Sequence, residues 1–349
     1  MTPPITKRRL VILTEGRFDV FGAKTAVSVI RYCRDEVVAI LDRFNAGKEA
    51  DSIIGVGKGI PIVAGIEETL RLKPTALLIG IAPPGGMLPA EWRVHIANAI
   101  KNKLSVISGL HCHLSEDVEF SRLAQEYGVD IVDVRKAPEN IPLGTGRAKE
   151  TNTVRILTVG SDCNIGKMVT SIEIAKAAGK RGINARFVAT GQTGIMIEGS
   201  GIAVDHVISD FISGAAEKLV VDRADAKLLS IEGQGTIVHP AYSGVTLGLL
   251  HGSAPQGLIL CHQPTRKTLR HFDNFPILPL SALIDLYEKL AGPVHPCKVL
   301  SISLNCVDLP EDKAREEIRK VERETKLPVT DPIKFGVENL INTIQPLLS

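Results

Sequence analysis

The chain has 349 residues, of which 44% are hydrophobic, 23% charged and 4% aromatic, and its formal net charge is +2. This length predicts about two domains, and the composition is typical of a soluble globular protein. The nearly balanced charge and the scarcity of aromatic side chains argue against a surface for nucleic acid or membrane. Any phosphate ligand is therefore expected to be a small molecule held in a pocket.

Nothing in the sequence indicates a targeting or membrane-spanning segment. The first apolar run, Leu10 to Leu13, is too short for a secretory signal and is predicted to be a β-strand. No apolar stretch approaches the length of a transmembrane helix, and the six cysteines include no CxxC pair. A reducing cytoplasm fits this cysteine usage better than a disulfide framework. We expect a cytoplasmic protein that, like many cytoplasmic enzymes, forms a homo-oligomer.

The first half of the chain alternates short apolar runs with longer mixed segments. This alternation predicts a parallel, doubly wound α/β sheet whose ligand groups lie at the carboxyl ends of its strands. The Pro- and Gly-rich loop 80–92 follows one of these strands and is predicted to form the lip of a cleft. The predicted strands are 10–13, 37–41, 60–63, 76–80, 104–108 and 131–134, and the predicted helices are 22–34, 65–73, 90–103 and 116–127.

The second half repeats the same alternation, so a second doubly wound α/β domain is predicted. The polar segment 135–152 lacks periodicity and is predicted to be the linker, which gives domains 1–150 and 151–349. The predicted strands are 155–159, 185–190, 227–232, 257–261 and 298–304, and the predicted helices are 166–181, 203–220, 243–251, 281–290, 311–325 and 335–347.

The segment 155–180 has the layout of a phosphate-binding P-loop. An apolar strand leads into a loop bracketed by glycines, and Lys167 then opens an amphipathic helix. Backbone N–H groups of such a loop wrap an anion, while the helix N-terminus and the lysine add positive charge. The predicted cofactor-binding residues are Gly160, Ser161, Asp162, Cys163, Asn164, Ile165, Gly166, Lys167 and Met168.

Met168 occupies the position where a Ser or Thr normally binds Mg²⁺ in a P-loop. Ser171 lies one helical turn further on and Thr170 points to another side of the helix, so neither replaces that hydroxyl. Any Mg²⁺ would need carboxylate ligands, and Asp162 and Glu232 are the candidates. Cys163 could be acidified by Lys167 and the helix dipole; a covalent role and a role as a small loop filler both stay open.

Glu232 follows an apolar strand and precedes a Gly-Gln-Gly turn, which favours a metal ligand or a base; the alternative is a solvated carboxylate. A glycine-rich loop after another strand offers N–H groups and hydroxyls to an anion through Gly191, Gln192, Thr193 and Gly194. Asp205 is a second candidate base. His239 is predicted either to act as a base or to bind a substrate carboxylate. A hydrolase triad is not expected, because the sequence has no GxSxG elbow.

Two of these motifs together resemble those of another enzyme group. GSDCNIGK and SIEGQG are similar to the P-loop and the second motif of dethiobiotin synthetase-like ATPases, which pair GTDT-x-x-GK with VEGAGG. In those enzymes the loop Asp and the strand-end Glu help to hold Mg²⁺, and the matching residues here are Asp162 and Glu232. The hydroxyl next to the lysine is missing here, which argues against ATP hydrolysis.

A closer resemblance covers nearly the whole chain. SGLHCHLSED, GSDCNIGKM, ATGQTGIMIEGSGIAVD, IEGQGTIVHPAYSG and LPVTDPIKFG resemble a family long described as of unknown function. That family has a Rossmann-like N-terminal domain and a P-loop NTPase-like C-terminal domain, and it includes D-glutamate N-acetyltransferases. The resemblance implies transfer of an acetyl group from acetyl-CoA to the amino group of an acidic amino acid, D-glutamate above all.

This implied reaction can be combined with the motifs. The P-loop would hold the phosphates of CoA, for which the missing Mg²⁺ ligand is dispensable. Glu232, Asp205 or His239 would deprotonate the amine, and N–H groups of residues 191–194 would stabilise the oxyanion. An ATP- and Mg²⁺-dependent ligase or kinase acting on a small carboxylate is the alternative, and a nucleotide-binding regulatory protein without chemistry is a third possibility.

Overall fold

A computed structural model describes residues 8–19, 22–81 and 88–349, so residues 82–87 of the predicted cleft-lip loop lie outside the described residues. The chain forms two compact units. The first holds the chain up to Ala137 together with Ile195–His206, and the second holds Pro138–Gly194 and Val207–Ser349. The division at residue 150 stays a prediction. Among the described residues, no helix has both the length and the apolar character needed to cross a membrane.

The first unit is built on a parallel sheet of six strands, as predicted. The strands are β1 (Leu10–Leu13), β2 (Val37–Leu41), β3 (Ile62–Val63), β4 (Ala76–Ile79), β5 (Ser105–Ser108) and β6 (Ile131–Asp133). Their order is β3-β2-β1-β4-β5-β6, and every pairing is parallel. All side chains of β1 and β4 are buried, as expected for central strands covered on both faces.

Four α-helices are described in the connections of the first sheet. They are α1 (Lys24–Tyr32), α2 (Asp51–Ile54), α3 (Arg93–Lys101) and α4 (Val118–Tyr127). The helix predicted at 65–73 is a 3₁₀-helix, Ile66–Leu72. Helix α4 begins where the Asp117 side chain accepts the N–H groups of Glu119 and Phe120, and it ends at Gly128 in a left-handed conformation.

The second unit contains a second parallel sheet and a short hairpin. Its strands are β7 (Val154–Gly160), β8 (Ala185–Val188), β9 (Leu228–Ile231), β10 (Gly257–His262), β11 (Thr268–Leu269), β12 (Phe272–Pro276), β13 (Lys298–Leu304) and β14 (Val329–Thr330). The sheet order is β14-β13-β10-β7-β9-β8, with parallel pairing throughout. Strands β11 and β12 form a separate antiparallel hairpin. The two predicted doubly wound α/β sheets are therefore confirmed.

The helices of the second half agree with the predicted ones in most places. They are α5 (Lys167–Lys180), α6 (Gln192–Glu198), α7 (Ile212–Val221), α8 (Ser243–Ser253), α9 (Leu280–Ala291), α10 (Glu311–Thr325) and α11 (Glu338–Ile344). The single helix predicted over 203–220 is wrong for residues 203–211, whereas α7 covers the rest of that range. Residues 203–211 contain two 3₁₀ turns, Val204–His206 and Ser209–Phe211, and Ile208 between them has extended backbone angles that interrupt a helix.

The core of the second unit holds β7 and α5 in place. Every residue of β7 is buried, and α5 packs with α11 against the sheet. The residues in this cluster are Val154, Ile156, Ile174, Ala178, Leu228, Ile259, Val337, Leu340, Ile341, Ile344 and Leu348. Because each fully buried Leu or Ile stabilises the fold by about 1.5–3 kcal/mol, the strand and the helix on either side of the P-loop are firmly fixed.

Candidate functional site

The P-loop, Gly160 to Lys167, connects the end of β7 to the start of α5, as predicted. Gly166 has a φ of 106°, which strongly favours glycine at the helix N-cap. At Gly160 a Cβ atom would lie 2.7 Å from Ile165 Cδ1 and 3.1 Å from Lys167 Nζ. The two glycines therefore permit the chain to turn tightly around the lysine.

Lys167 lies inside this turn and is only 6% exposed. Its Nζ donates a hydrogen bond of 2.6 Å to the Asp162 carbonyl oxygen. Burial lowers the pKa of Lys167, and the nearby Cys163, Cys261 and other acidic groups oppose that shift. A buried ammonium group has three donors and needs compensating charge, so an anion entering the loop would stabilise its charged form.

Asp162 is fully buried and makes contacts that the motif does not predict. Its Oδ2 accepts hydrogen bonds from Arg266 Nη1 at 2.7 Å and from the Arg270 N–H group at 2.8 Å. Arg266 also donates to the Cys163 carbonyl oxygen at 2.6 Å. Asp162 Oδ1 is buried without a hydrogen-bond partner among the residues that the structure describes. An unsatisfied buried carboxylate oxygen is costly, so a ligand with a donor or a cation would be favoured here.

Arg266 and Arg270 are functional candidates that the sequence analysis missed. Arg266 follows β10, which neighbours β7 in the sheet, and so reaches the site from the carboxyl edge. Arg270 lies in the turn after β11 and reaches Asp162 with its backbone N–H group. Their position after a predicted strand, in the basic segment QPTRKTLR, is the signal that could have identified them.

The hydroxyl groups near Met168 are engaged elsewhere. Ser171 Oγ donates to the Ile231 carbonyl oxygen at 3.0 Å, and Thr170 Oγ1 donates to the Gly166 carbonyl oxygen at 3.1 Å. Met168 itself is 7% exposed and packs as an apolar side chain. Both hydroxyls thus have hydrogen-bond partners within the protein, and that neither replaces the usual Mg²⁺ ligand stays a prediction. An Mg²⁺ site at Asp162 and Glu232 stays a prediction.

Glu232 follows β9, the other neighbour of β7, and is 5% exposed. The alternative of a solvated carboxylate is therefore wrong. Its Oε2 accepts hydrogen bonds from the N–H groups of Thr190 at 2.9 Å and Gly191 at 3.1 Å. A Cβ atom at Gly194 would lie 2.4 Å from the same oxygen. The glycines after β8 thus allow close approach of the Glu232 carboxylate itself.

The loop predicted at residues 191–194 is largely helical in the structure. Gln192, Thr193 and Gly194 form the first turn of α6, so only Gly191 belongs to the loop. The Gly191 N–H group donates to Glu232, so an external anion would have to compete with that carboxylate for it. These residues lie beside Glu232, and their role as cofactor-binding residues stays a prediction.

His239 lies in the loop between β9 and α8 and is 1% exposed. One of its ring nitrogens, the Cys163 sulfur and a carboxylate oxygen of Asp162 lie within 4.8 Å of one another. Its Nδ1 accepts the Ala241 N–H group at 3.1 Å, so the neutral ring carries its proton on Nε2. Burial lowers the pKa of His239; the nearby Asp162 carboxylate acts against this shift, and the Lys167 charge adds to it. The structure therefore places a neutral donor beside the P-loop.

Residues of other elements also support the P-loop through hydrogen bonds. Tyr287 donates from its hydroxyl to the Gly160 carbonyl oxygen at 2.8 Å and accepts the Ile237 N–H group at 3.1 Å. Ser161 Oγ and His262 Nδ1 are 2.8 Å apart. Burial and nearby cations lower the pKa of His262 to about 4, so this ring is neutral near pH 7.

Asp205 belongs to the first unit, and its role as a base stays a prediction. It forms an ion pair with Arg135, whose Nε donates to the Gly109 carbonyl oxygen at 2.7 Å. The adjacent His206 ring lies 5.0 Å from that of His113. In the described parts of the chain, one group of three possible metal ligands is found, and it consists of Asp162, Cys163 and His239.

Comparison with family models matches both units. Residues 43–137 match a Rossmann-like domain of unknown function, DUF1611_N, and residues 142–341 match the P-loop domain of unknown function DUF1611_C. A crystal structure of a DUF1611 family protein from Anabaena variabilis superposes with a TM-score of 0.93 at 38% identity. The match covers 97% of this chain and 99% of that one.

Two curated bacterial relatives carry the name D-glutamate N-acetyltransferase. The protein from a Pseudoalteromonas species is 37% identical over 78% of this chain and 82% of its own length. The protein from Tritonibacter scottomollicae is 34% identical over 93% of this chain and 95% of its own length. The family resemblance expected from the sequence motifs is confirmed, and the chain belongs to the DUF1611 family, with its Rossmann-like N-terminal and P-loop C-terminal domains.

Proposed function

We propose that this protein is an N-acetyltransferase that moves an acetyl group from acetyl-CoA to the amino group of an acidic amino acid, D-glutamate in particular. The observation that carries the proposal is the similarity, over most of the chain, to two relatives named D-glutamate N-acetyltransferase. The reaction needs an anchor for the phosphates of CoA, a base that accepts the amine proton and a hydrogen-bond donor to the thioester oxygen.

The P-loop supplies a suitable phosphate anchor. Lys167, Arg266 and the backbone N–H groups of the loop provide the positive charge that a diphosphate requires. Aminolysis of a thioester involves no phosphoryl transfer, so the Mg²⁺ ligand replaced by Met168 is not needed for it. Asp162 Oδ1 would accept a hydrogen bond from a hydroxyl or amino group of the bound molecule. This bond would offset the cost of burying that oxygen without a partner.

The amine must lose a proton before or during its attack on the thioester carbon. Of the three candidate bases, Glu232 suits this role best, because it is a buried carboxylate held beside the P-loop by Thr190 and Gly191. His239 is better suited to donate a hydrogen bond from Nε2, to the thioester oxygen or a substrate carboxylate, because its Nδ1 is the acceptor atom. Asp205 remains a third candidate, and its ion pair with Arg135 would have to open first.

The proposal is tested by following release of free thiol from acetyl-CoA with a panel of D- and L-amino acids. We expect release only with acidic amino acids, and fastest with D-glutamate. Lys167→Met should raise the KM for acetyl-CoA at least tenfold, because a charge-assisted hydrogen bond to phosphate is worth about 1.5–3 kcal/mol. Lys180→Met, which removes an exposed lysine from the same helix, is the matched control.

Failure of every acidic amino acid to stimulate thiol release would contradict the proposal. One feature of the site favours the alternative of an ATP- and Mg²⁺-dependent ligase or kinase, namely the unpartnered Asp162 oxygen in the P-loop, which could bind Mg²⁺. The same panel is therefore run with ATP and MgCl₂. Formation of ADP that depends on a small carboxylate, and that is lost in Lys167→Met, would support that alternative.

A further inference from the structure

Four rings are grouped beside the P-loop, and we refer to His239, Tyr242, Phe272 and Phe275 as the aromatic group. The His239 ring stacks on that of Tyr242, with centroids 4.4 Å apart and planes at 27°. Phe272 meets His239 edge-on at 4.9 Å and Phe275 at 6.1 Å. Phe, Trp and Tyr make up only 4% of the chain, so this concentration is a local feature that average composition does not explain.

The outer members of the aromatic group are open to solvent. Tyr242 is 48% exposed and Phe275 is 44% exposed. His239, whose ring contacts those of Tyr242 and Phe272, is 1% exposed. His239 covers one face of the Tyr242 ring, and nearly half of Tyr242 stays exposed to solvent. Exposed large side chains that belong to one aromatic group beside a polar site make a candidate surface for a ligand.

The aromatic group lies against Asp162, a residue of the P-loop. A His239 nitrogen lies within 4.8 Å of a carboxylate oxygen of Asp162. The hairpin of β11 and β12, which carries Phe272 and Phe275, follows Arg266 and has Arg270 in its turn. The Arg266 side chain and the Arg270 N–H group both donate to Asp162 Oδ2. The aromatic group is therefore connected to the P-loop at Asp162, through His239 and through the hairpin.

We propose that Tyr242 and Phe275 form a stacking platform for the adenine ring of the nucleotide whose phosphates bind the P-loop. An aromatic side chain stacks on the face of a nucleobase without needing hydrogen bonds to its edge. Adenine is the base of both CoA and ATP. The identity of the ligand as CoA rests on the proposed function, whereas the platform itself requires only an adenine nucleotide.

The binding test uses isothermal titration calorimetry of the full-length protein with ADP and with CoA. Tyr242→Ala and Phe275→Ala are each expected to weaken both ligands about 5- to 150-fold, the range for loss of one stacked base. Phe44→Ala removes a ring that is 67% exposed in the first unit and serves as the matched control. Circular dichroism of each variant checks that the fold is retained.

A kinetic test asks which part of the donor the platform contacts. Both variants should lower kcat/KM for acetyl-CoA by the same factor as the loss of CoA affinity. They should leave kcat/KM for S-acetylpantetheine unchanged, because that donor has the thioester arm but no adenine nucleotide. An ATP-selective site would instead show strong ADP binding that is sensitive to both variants, with no effect on acetyl-CoA kinetics.

The outcomes separate this inference from the proposed function. The platform is refuted if the wild-type protein binds neither ADP nor CoA, or if both variants bind them as tightly as the wild type does. Equal losses with acetyl-CoA and S-acetylpantetheine would also refute it, since the lost contact would then not be to the nucleotide. If no acetyl transfer is found but ADP binding weakens in the variants, the proposed function fails and the platform stands.

Discussion

At the scale of single residues, Gly194 shows how closely Glu232 is enclosed. A Cβ atom at this position would lie 2.4 Å from Glu232 Oε2 and 3.1 Å from Ala189 Cβ and Phe187 Cζ. The glycine-rich sequence predicts a loop at residues 191–194 that offers N–H groups and hydroxyls to an anion. The structure shows that Gly194 also leaves room for the Glu232 carboxylate, a contact that local sequence cannot reveal because the two residues are far apart in the chain.

Replacement of Gly194 by alanine should therefore displace Glu232. We expect kcat to fall at least tenfold and the free energy of unfolding to fall by about 1–3 kcal/mol, as for other overpacked sites. Gly179→Ala is the control, because a Cβ atom there has no neighbour within 4 Å, and it should be neutral or stabilising by about 0.4–1 kcal/mol. Urea denaturation and thiol-release kinetics measure both quantities. An active, fully stable Gly194→Ala protein would show that the position of Glu232 is unimportant.

His262 gives a prediction about pH. Burial, the largest cause, lowers its pKa from 6.5 to about 4 in the folded protein. Between these values the unfolded chain binds a proton that the folded chain does not. The free energy of unfolding contributed by His262 is therefore complete above pH 6.5 and is lost as the pH falls towards 4, by about 3 kcal/mol at most.

The His262→Gln protein should accordingly lose less stability than the wild type between pH 7 and pH 4.5. Burial also lowers the pKa values of His111, His206 and His239, so the variant should reduce the slope without abolishing it. Urea denaturation at several pH values measures the slope, with His295→Gln as the control. A slope identical to that of the wild type would contradict the role assigned to burial of His262.

At the scale of elements, the hairpin of β11 and β12 is the part of the site that sequence patterns miss. Its turn residue, His271, has a φ of 68°, a conformation that Gly or Asn normally signals. The exposed residues of β12 also show no regular burial pattern. By contrast, helix α10 is predicted to the residue, because its charged sequence has one narrow apolar stripe between a proline and a lysine-terminated end.

The hairpin should depend on Asp162 for its position. Asp162→Asn removes the charge that Arg266 Nη1 binds and replaces one acceptor oxygen by a donor. Hydrogen exchange of residues 266–276 should then accelerate about 10- to 100-fold, given about 1.5–3 kcal/mol for a charge-assisted hydrogen bond. Asp273→Asn, at an exposed position of β12 itself, should leave the exchange rates unchanged. Unchanged rates in Asp162→Asn would indicate that the aromatic contacts alone hold the hairpin.

At the scale of the whole molecule, the alternation of apolar runs was sufficient to predict two parallel sheets, and the P-loop motif was sufficient to locate one candidate site. The partners of that site were not predictable. Arg266 and Arg270 are separated from Asp162 by 104 and 108 residues, and only the order of β7 and β10 in the sheet brings them together. Motifs identify the residues of one loop, whereas contacts between strand ends depend on topology.

The division of the chain into units has a consequence for its synthesis. Residues Ile195–His206 belong to the first unit, although the rest of that unit ends at Ala137. Met196, Ile202 and Val204 in this segment are buried. The amino-terminal unit therefore lacks part of its structure while the ribosome is producing the P-loop and α5, and it can be completed only after His206 has emerged. A gene truncated between the two family domains would give an amino-terminal product that lacks Ile195–His206. The carboxy-terminal product would contain this segment without the unit to which it belongs.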